Sequence, residues 1–180
     1  MNTFLALLRG INVGTSNRIG MADLRALLGR LGYTDVRTHL QSGNAVFTCS
    51  ATDSDEIAGQ IEAAIADELG LKIRCLVRDR DDLRRVVEAN PLADIATDPA
   101  RLLVTFLSAT PDAERLAAID VAGDCRERFV AHGRELYVWL PDGVRNAKLS
   151  YAFFEKKLGV TATARNWNTV TKLLSMMGVG

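Results

Sequence analysis

Two short polar segments near the N-terminus carry residue types that could bind an anion. Residues 9–18 read RGINVGTSNR, and residues 41–44 read QSGN. Arginine pairs with phosphate or carboxylate through several N–H groups, asparagine adds amide donors, and glycine lets a backbone approach a ligand closely. The residues that we expect to contact a ligand here are Arg9, Asn12, Asn17, Arg18, Ser42 and Asn44.

A third polar segment, residues 163–169, reads TARNWNT. Arg165 could bind a phosphate or carboxylate through two parallel hydrogen bonds. Asn166 and Asn168 would place side-chain amides where a helix begins. Asn166 could instead cap that helix. Trp167 would be a core anchor on the apolar stripe of the helix, or, if exposed, a platform for a base. We therefore add Arg165, Asn166 and Asn168 to the predicted ligand contacts.

Structural roles for the same residues stay open, and no catalytic residue can be assigned. Glycine and asparagine also supply left-handed turns, in which Asn12 and Asn17 would bond to the backbone. The first segment lacks the G-x-x-x-x-G-K-[ST] pattern of a P-loop. Ser42 has no G-x-S-x-G context, and His39 and His132 belong to no recognisable triad pattern.

The composition argues against metal, cofactor and membrane chemistry. The three cysteines are widely spaced with no C-x-x-C, and H-E-x-x-H is absent, so we predict reduced thiols, no metal site and no cofactor. No apolar run is longer than the five residues of Phe4 to Leu8, far short of the roughly 20 residues of a membrane span. The N-terminus also lacks the pattern of a secretory signal. We expect a cytoplasmic protein that makes no membrane contact.

The charge balance limits the kind of anion. The chain has 22 basic and 22 acidic residues, so its net charge is zero. The first 50 residues nevertheless hold five arginines and two aspartates, and residues 143–180 hold six basic residues and one acidic. A neutral protein does not attract a long duplex, because that attraction requires many cations. A small phosphate-bearing ligand, such as a nucleotide, or a nucleic-acid end fits better.

Apolar spacing predicts the elements that position these segments. An apolar strand at residues 3–8, a helix at 21–31, a hairpin of residues 36–40 and 44–48, a helix with isoleucines four apart, and a strand at 73–77 give the order βαββαβ. The second half repeats the order, with a strand at 102–107, a helix opened by Thr110-Pro111, a hairpin about Gly133, a helix ending at Gly159 and a strand at 160–163. A last helix follows.

This order predicts an α+β protein made of two ferredoxin-like βαββαβ units, each an antiparallel sheet of strand order 4-1-3-2 with helices on one face, plus a C-terminal helix. The predicted boundaries are 1–79 for the first unit, 80–100 for a helix and linker, 101–164 for the second unit and 165–180 for the C-terminal helix. In that topology strands 1 and 2 run parallel. Segments 9–18 and 41–44 should therefore meet at one end of the sheet, beside a helix N-terminus that is receptive to anions.

The polar segments also carry a family resemblance. Residues 9–14 (RGINVG) with Asn17 and Met21, residues 41–44, Asn90-Pro91 and residues 165–169 (RNWNT) resemble the bacterial family catalogued as domain of unknown function 1697. The resemblance runs from near the first residue to Met177. It implies a two-part, ferredoxin-like α+β fold and supplies no catalytic residue, because the family has no established activity. Thr15 and Ser16 stand where the family is more glycine-rich or basic.

Three functions follow as hypotheses. The first is binding of a polar, phosphate-bearing ligand through the Arg/Asn-rich segments. The second is an enzyme acting on an unknown small molecule, with His39 or Ser42 involved. The third is a non-catalytic interaction module, since exposed sheet edges can pair. A monomer and a homodimer are both compatible with the sequence.

Overall fold

The computed structural model describes residues 1–121 and 125–178. In this part of the chain, eight strands and six helices form two compact units. Unit 1 is Met1–Arg85 together with the chain from Lys172 onward, and unit 2 is Val86–Thr171. Residues 122–124, inside the predicted second unit, and residues 179–180, at the end of the predicted C-terminal helix, lie outside the described residues.

Unit 1 is built on a four-stranded antiparallel sheet. Its elements are β1 (Asn2–Leu8), α1 (Met21–Arg30), β2 (Thr34–His39), β3 (Asn44–Cys49), α2 (Ser54–Leu69) and β4 (Cys75–Asp79), followed by the start of α3 (Arg80–Ala89). The strand order is β2-β3-β1-β4, which is the predicted order 4-1-3-2. The apolar run in β1 is buried because β1 lies in the centre of the sheet.

The core of unit 1 lies between the sheet and the helices α1 and α2. Phe4, Ala6 and Leu8 of β1 belong to the same buried cluster as the apolar residues of both helices. In α2 the isoleucines four residues apart are fully buried, as the spacing predicts. This helix begins at Asp53, whose carboxylate accepts hydrogen bonds from the N–H groups of residues 55 and 56, and ends at Gly70, with φ +66°.

Unit 2 repeats the arrangement. Its elements are β5 (Leu102–Leu107), α4 (Ala113–Ala117), β6 (Arg128–His132), β7 (Glu135–Trp139), α5 (Tyr151–Leu158) and β8 (Ala162–Asn166), followed by α6 (Trp167–Met176). The strand order is β6-β7-β5-β8, all antiparallel, and β5 is buried along its whole length. The α+β class, with two four-stranded antiparallel sheets and a C-terminal helix, is therefore confirmed.

Two element boundaries in unit 2 differ from the prediction. Helix α4 begins after Asp112 rather than at Thr110-Pro111, because the Asp112 carboxylate accepts hydrogen bonds from the N–H groups of residues 114 and 115. Strand β8 extends to Asn166, beyond the predicted 160–163, because it pairs with β5 as far as Leu103. As a result, Arg165 lies in a strand and not at the start of a helix.

Candidate functional site

The loop that follows β1 is closed by the side chain of Asn12. Its Nδ2 donates hydrogen bonds to the carbonyl oxygens of Ile19 at 2.9 Å and Gln41 at 2.7 Å, and its Oδ1 accepts one from the Ile19 N–H at 2.9 Å. The Asn12 N–H donates to the carbonyl of Asn17, and both asparagines have left-handed backbones, with φ +56° and +53°. Asn12 therefore fixes the loop and joins it to the segment after β2.

The turn between β2 and β3 is held by a buried asparagine. Asn44 is fully buried, and its Nδ2 donates to the carbonyl of His39 at 2.7 Å and to the Ser42 hydroxyl at 3.1 Å. Gly43 has φ +89°, and its carbonyl accepts a hydrogen bond from the Leu8 N–H. The two N-terminal polar segments thus lie in contact, as the parallel direction of β1 and β2 predicts.

An open cavity of about 470 Å³ lies where these segments meet the start of α1. It is lined by Asn12, Arg18, Ile19, Gly20 and Gln41. Gly20 is the N-cap residue of α1 and brings no capping side chain. The first-turn N–H groups and the helix dipole at this end favour an anion, and Asp23 already places one carboxylate in the first turn.

Arg18 supplies the positive charge at this cavity. The residue is exposed, and its Nη1 donates to the Gly14 carbonyl at 3.2 Å, a long hydrogen bond within its own loop. Breaking a single exposed bond of this kind costs little, so the guanidinium can turn to a ligand. Arg9 lies apart from this lining; its N–H donates to the Arg74 carbonyl, next to β4.

The predicted contacts near the C-terminus lie in unit 2. Arg165 is 8% exposed, and its Nη1 donates to the Thr163 hydroxyl at 2.7 Å and the Ala164 carbonyl at 2.9 Å. Asn166 caps α6, since its Oδ1 accepts a hydrogen bond from the Thr169 N–H. Asn168 is exposed. Ligand binding by these three residues stays a prediction.

Trp167 is half-buried, with its ring centroid 6.5 Å from that of Tyr137. The Tyr137 hydroxyl donates to the Val86 carbonyl at 2.6 Å, and burial raises the pKa of Tyr137 to about 12. This phenol is therefore neutral at physiological pH. The ring contact favours the structural role of Trp167 over base stacking.

Gly20 and Gln41 line the cavity but were not among the predicted contacts. Both had a readable signal: Gly20 directly precedes the first apolar residue of a predicted helix, and Gln41 opens the QSGN segment. Asn17 and Asn44, which were predicted as contacts, lie outside the lining of the cavity. Asn44 holds its own turn instead, so residue type alone did not reveal its structural role.

The described residues also bear on metal binding, thiol chemistry and membrane insertion. Residues 1–121 and 125–178 contain no group of three or more metal-binding side chains. All three cysteines lie in these ranges as free thiols, with Cys49 and Cys75 buried. None of the helices within these ranges has the length and apolar character needed to cross a bilayer.

Comparisons with known proteins identify the family. The model of the family described as "Protein of unknown function (DUF1697)" matches residues 1–137 of the 180-residue chain. The chain belongs to this family. A solved structure of this fold is that of the conserved bacterial protein SP0830 from Streptococcus pneumoniae. It is 22% identical to this DUF1697 member over 98% of each chain, with a TM-score of 0.73, a likeness that concerns the fold alone. The comparison with curated proteins gave no match.

Proposed function

We propose that unit 1 binds the phosphate group of a small ligand, a nucleotide or a nucleic-acid end, in the cavity beside the start of α1. The observation that carries this proposal is the meeting of Arg18, Gln41 and a helix start without a side-chain cap around one cavity of about 470 Å³. A phosphate there would accept hydrogen bonds from the first-turn N–H groups and from the Arg18 guanidinium.

The other predicted contacts support this cavity in different ways. Asn12 holds the loop and the hairpin together, so it positions Arg18 and Gln41. Ser42 and Asn44 stabilise the turn beside Gln41. The sparse acidic residues of the first 50 positions leave this end of the sequence with an excess of positive charge, which would attract a phosphate.

We also propose a cytoplasmic location for the protein. The three free thiols support it, because disulfides are the usual state of secreted domains and reduced cysteines that of cytosolic ones.

The test is titration of the ¹⁵N-labelled protein with inorganic phosphate and with adenosine 5′-monophosphate, followed by NMR. We expect saturable shifts of the amides of Met21 and Ala22, the first residues of α1. Arg18→Gln should weaken binding about tenfold, since it removes a charge-assisted hydrogen bond. Asp23→Asn should strengthen binding, since it removes a competing carboxylate from the same turn.

The matched control is Arg25→Gln, which removes one charge from α1 outside the lining of the cavity. Arg25 donates to the Thr38 hydroxyl at 2.6 Å. Its substitution should leave the affinity within about twofold, a difference well below that of one hydrogen bond to a charged group. Equal weakening by Arg25→Gln and Arg18→Gln, or no saturable shift with either compound, would refute the proposal.

A further inference from the structure

One face of the unit 1 sheet carries polar side chains near the start of β1. Thr3 of β1 pairs with Thr48 of β3, and Leu5 pairs with Val46. Arg37 of β2 pairs with the same Val46. Paired residues, and residues two apart in a strand, point to the same face of a sheet. Thr3, Arg37 and Thr48 therefore share the face opposite the one that packs on α1 and α2.

A second open cavity, of about 540 Å³, lies on this face. Its lining includes Thr3, Arg37, Thr48 and Arg80, with Asp35 as its acidic residue and Met177 as an apolar one. All of these residues belong to unit 1. The cavity lies at the opposite end of β1 from the loop that contains Arg18, so it is separate from the proposed phosphate site.

Arg80 has a buried N–H donor that no group among the described residues accepts. Its Nη2 donates to the Thr3 hydroxyl at 2.9 Å, whereas its Nε is shielded from solvent and has no acceptor among the described residues. A buried N–H of a charged group without an acceptor is costly. Arg80 is also the first residue of α3, where the helix dipole disfavours a cation. The hydrogen bond to Thr3 therefore accounts for Nη2 but not for Nε, and helix stability does not favour a cation at this position.

The acidic residues next to Arg80 are engaged with other groups. The Asp79 carboxylate accepts a hydrogen bond from the Asp82 N–H at 2.7 Å. Asp81 pairs with Arg84, and Asp82 pairs with Arg85. Among the described residues that line it, the cavity therefore presents two guanidinium groups, from Arg37 and Arg80, against one carboxylate, that of Asp35.

We propose that this cavity binds the oxyanion group, phosphate or carboxylate, of a small ligand. The Arg80 guanidinium turns toward the anion so that Nε and Nη2 donate side by side, the geometry in which arginine recognises two oxygens at once. Arg37 supplies the second positive charge. The Thr48 hydroxyl supplies a further donor on the same face, and the half-buried Met176, which also lines the cavity, offers an apolar surface to the remainder of the ligand.

The test is NMR observation of the arginine Nε–H groups during separate titrations with inorganic phosphate and sodium acetate. We expect a saturable shift of the Arg80 Nε–H signal in at least one titration. The anion that binds with the higher affinity is the preferred oxyanion. Arg37→Gln should weaken binding about tenfold. Arg80→Lys keeps the charge but lacks Nε, so in this variant the Arg37 Nε–H signal should shift only at higher anion concentrations, while a circular dichroism spectrum shows that the fold is retained.

Two control variants test whether the anion binds in this cavity. Arg84→Gln removes a charge from α3 outside the lining of the cavity and should leave the affinity unchanged. Arg18→Gln should leave the Arg80 signal unaffected, which keeps this outcome independent of the proposed phosphate site. An Arg80 signal that responds to neither anion would overturn the proposal. So would an affinity for the anion that falls equally in Arg84→Gln and Arg37→Gln.

Discussion

Replacing Asn12 by alanine tests whether this side chain builds the candidate site. The substitution removes three hydrogen bonds, two to carbonyl oxygens and one from the Ile19 N–H. At about 1 kcal/mol for each, the loss is about 3 kcal/mol. Alanine at φ +56° adds strain of about 1 kcal/mol. We therefore expect Asn12→Ala to lower the free energy of unfolding of unit 1 by about 4 kcal/mol.

Asn17→Ala provides the matched control. Asn17 has nearly the same backbone, at φ +53°, but is exposed, and no hydrogen bond of its side chain is present among the described residues. Its replacement should cost only the strain, about 1 kcal/mol. The difference between the two variants, about 3 kcal/mol, then measures the hydrogen bonds of Asn12.

The measurement is native-state amide hydrogen exchange at Leu5 and Leu7, which are fully buried in β1 and report the opening of unit 1. The Ile19 amide gives a local readout, because its acceptor is Asn12 Oδ1. It should exchange faster in Asn12→Ala and remain protected in Asn17→Ala. A difference between the variants below about 1 kcal/mol, the value of a single hydrogen bond, would show that Asn12 does not hold the loop.

Two more predictions concern unit 1. Gly43→Ala should lower the free energy of unfolding by about 3 kcal/mol, as measured by urea unfolding. Two causes add up: alanine is strained in the left-handed backbone of residue 43, and its Cβ would lie 2.7 Å from Ile11 Cδ1. Gly14→Ala, at φ +68° with open space around it, should cost about 1 kcal/mol, and equal losses would contradict the role of the Ile11 contact. Burial raises the pKa of Tyr33 to about 12, above its ordinary value of 10.0. The neutral Tyr33 side chain therefore gives its full contribution to stability below pH 10. As the pH rises toward 12 this contribution is lost, and the free energy of unfolding falls by roughly 3 kcal/mol. Tyr33→Phe should show a smaller loss of stability over that range in urea unfolding at stepped pH, and parallel losses would exclude Tyr33 as the cause.

The periodicity of apolar residues determined the order of the elements. The unbroken apolar run at Phe4–Leu8 predicts a central strand, and isoleucines four apart predict the buried face of α2; both are observed. These patterns are readable because burial of a whole strand or of one helix face requires apolar residues at fixed spacing. The strand order then predicted which two loops would meet.

The boundaries of helices and strands were harder to predict from the sequence where two signals compete. Thr110 before a proline and Asp112 are both good N-cap residues, and only the geometry of the folded chain selects Asp112. Strand β8 continues to Asn166 because β5 offers a hydrogen-bonding edge over that length. Such pairing depends on a partner about 60 residues away in the sequence, so local propensity does not reveal it.

For the candidate sites, the sequence alone determined the residue types, and the tertiary structure decided their roles. An asparagine amide bonds equally well to a backbone carbonyl and to a ligand, so the type of residue does not distinguish Asn44, which is buried against its own turn, from Asn168, which is exposed. Arg18 and Arg80 are two arginines among many in the sequence. Only the folded chain places Arg18 at a cavity beside the start of a helix. Only the folded chain, too, buries the Nε of Arg80 where it has no acceptor among the described residues. Burial and the distance to competing partners exist only after the strands have paired, and these two quantities decide which polar groups remain available to a ligand.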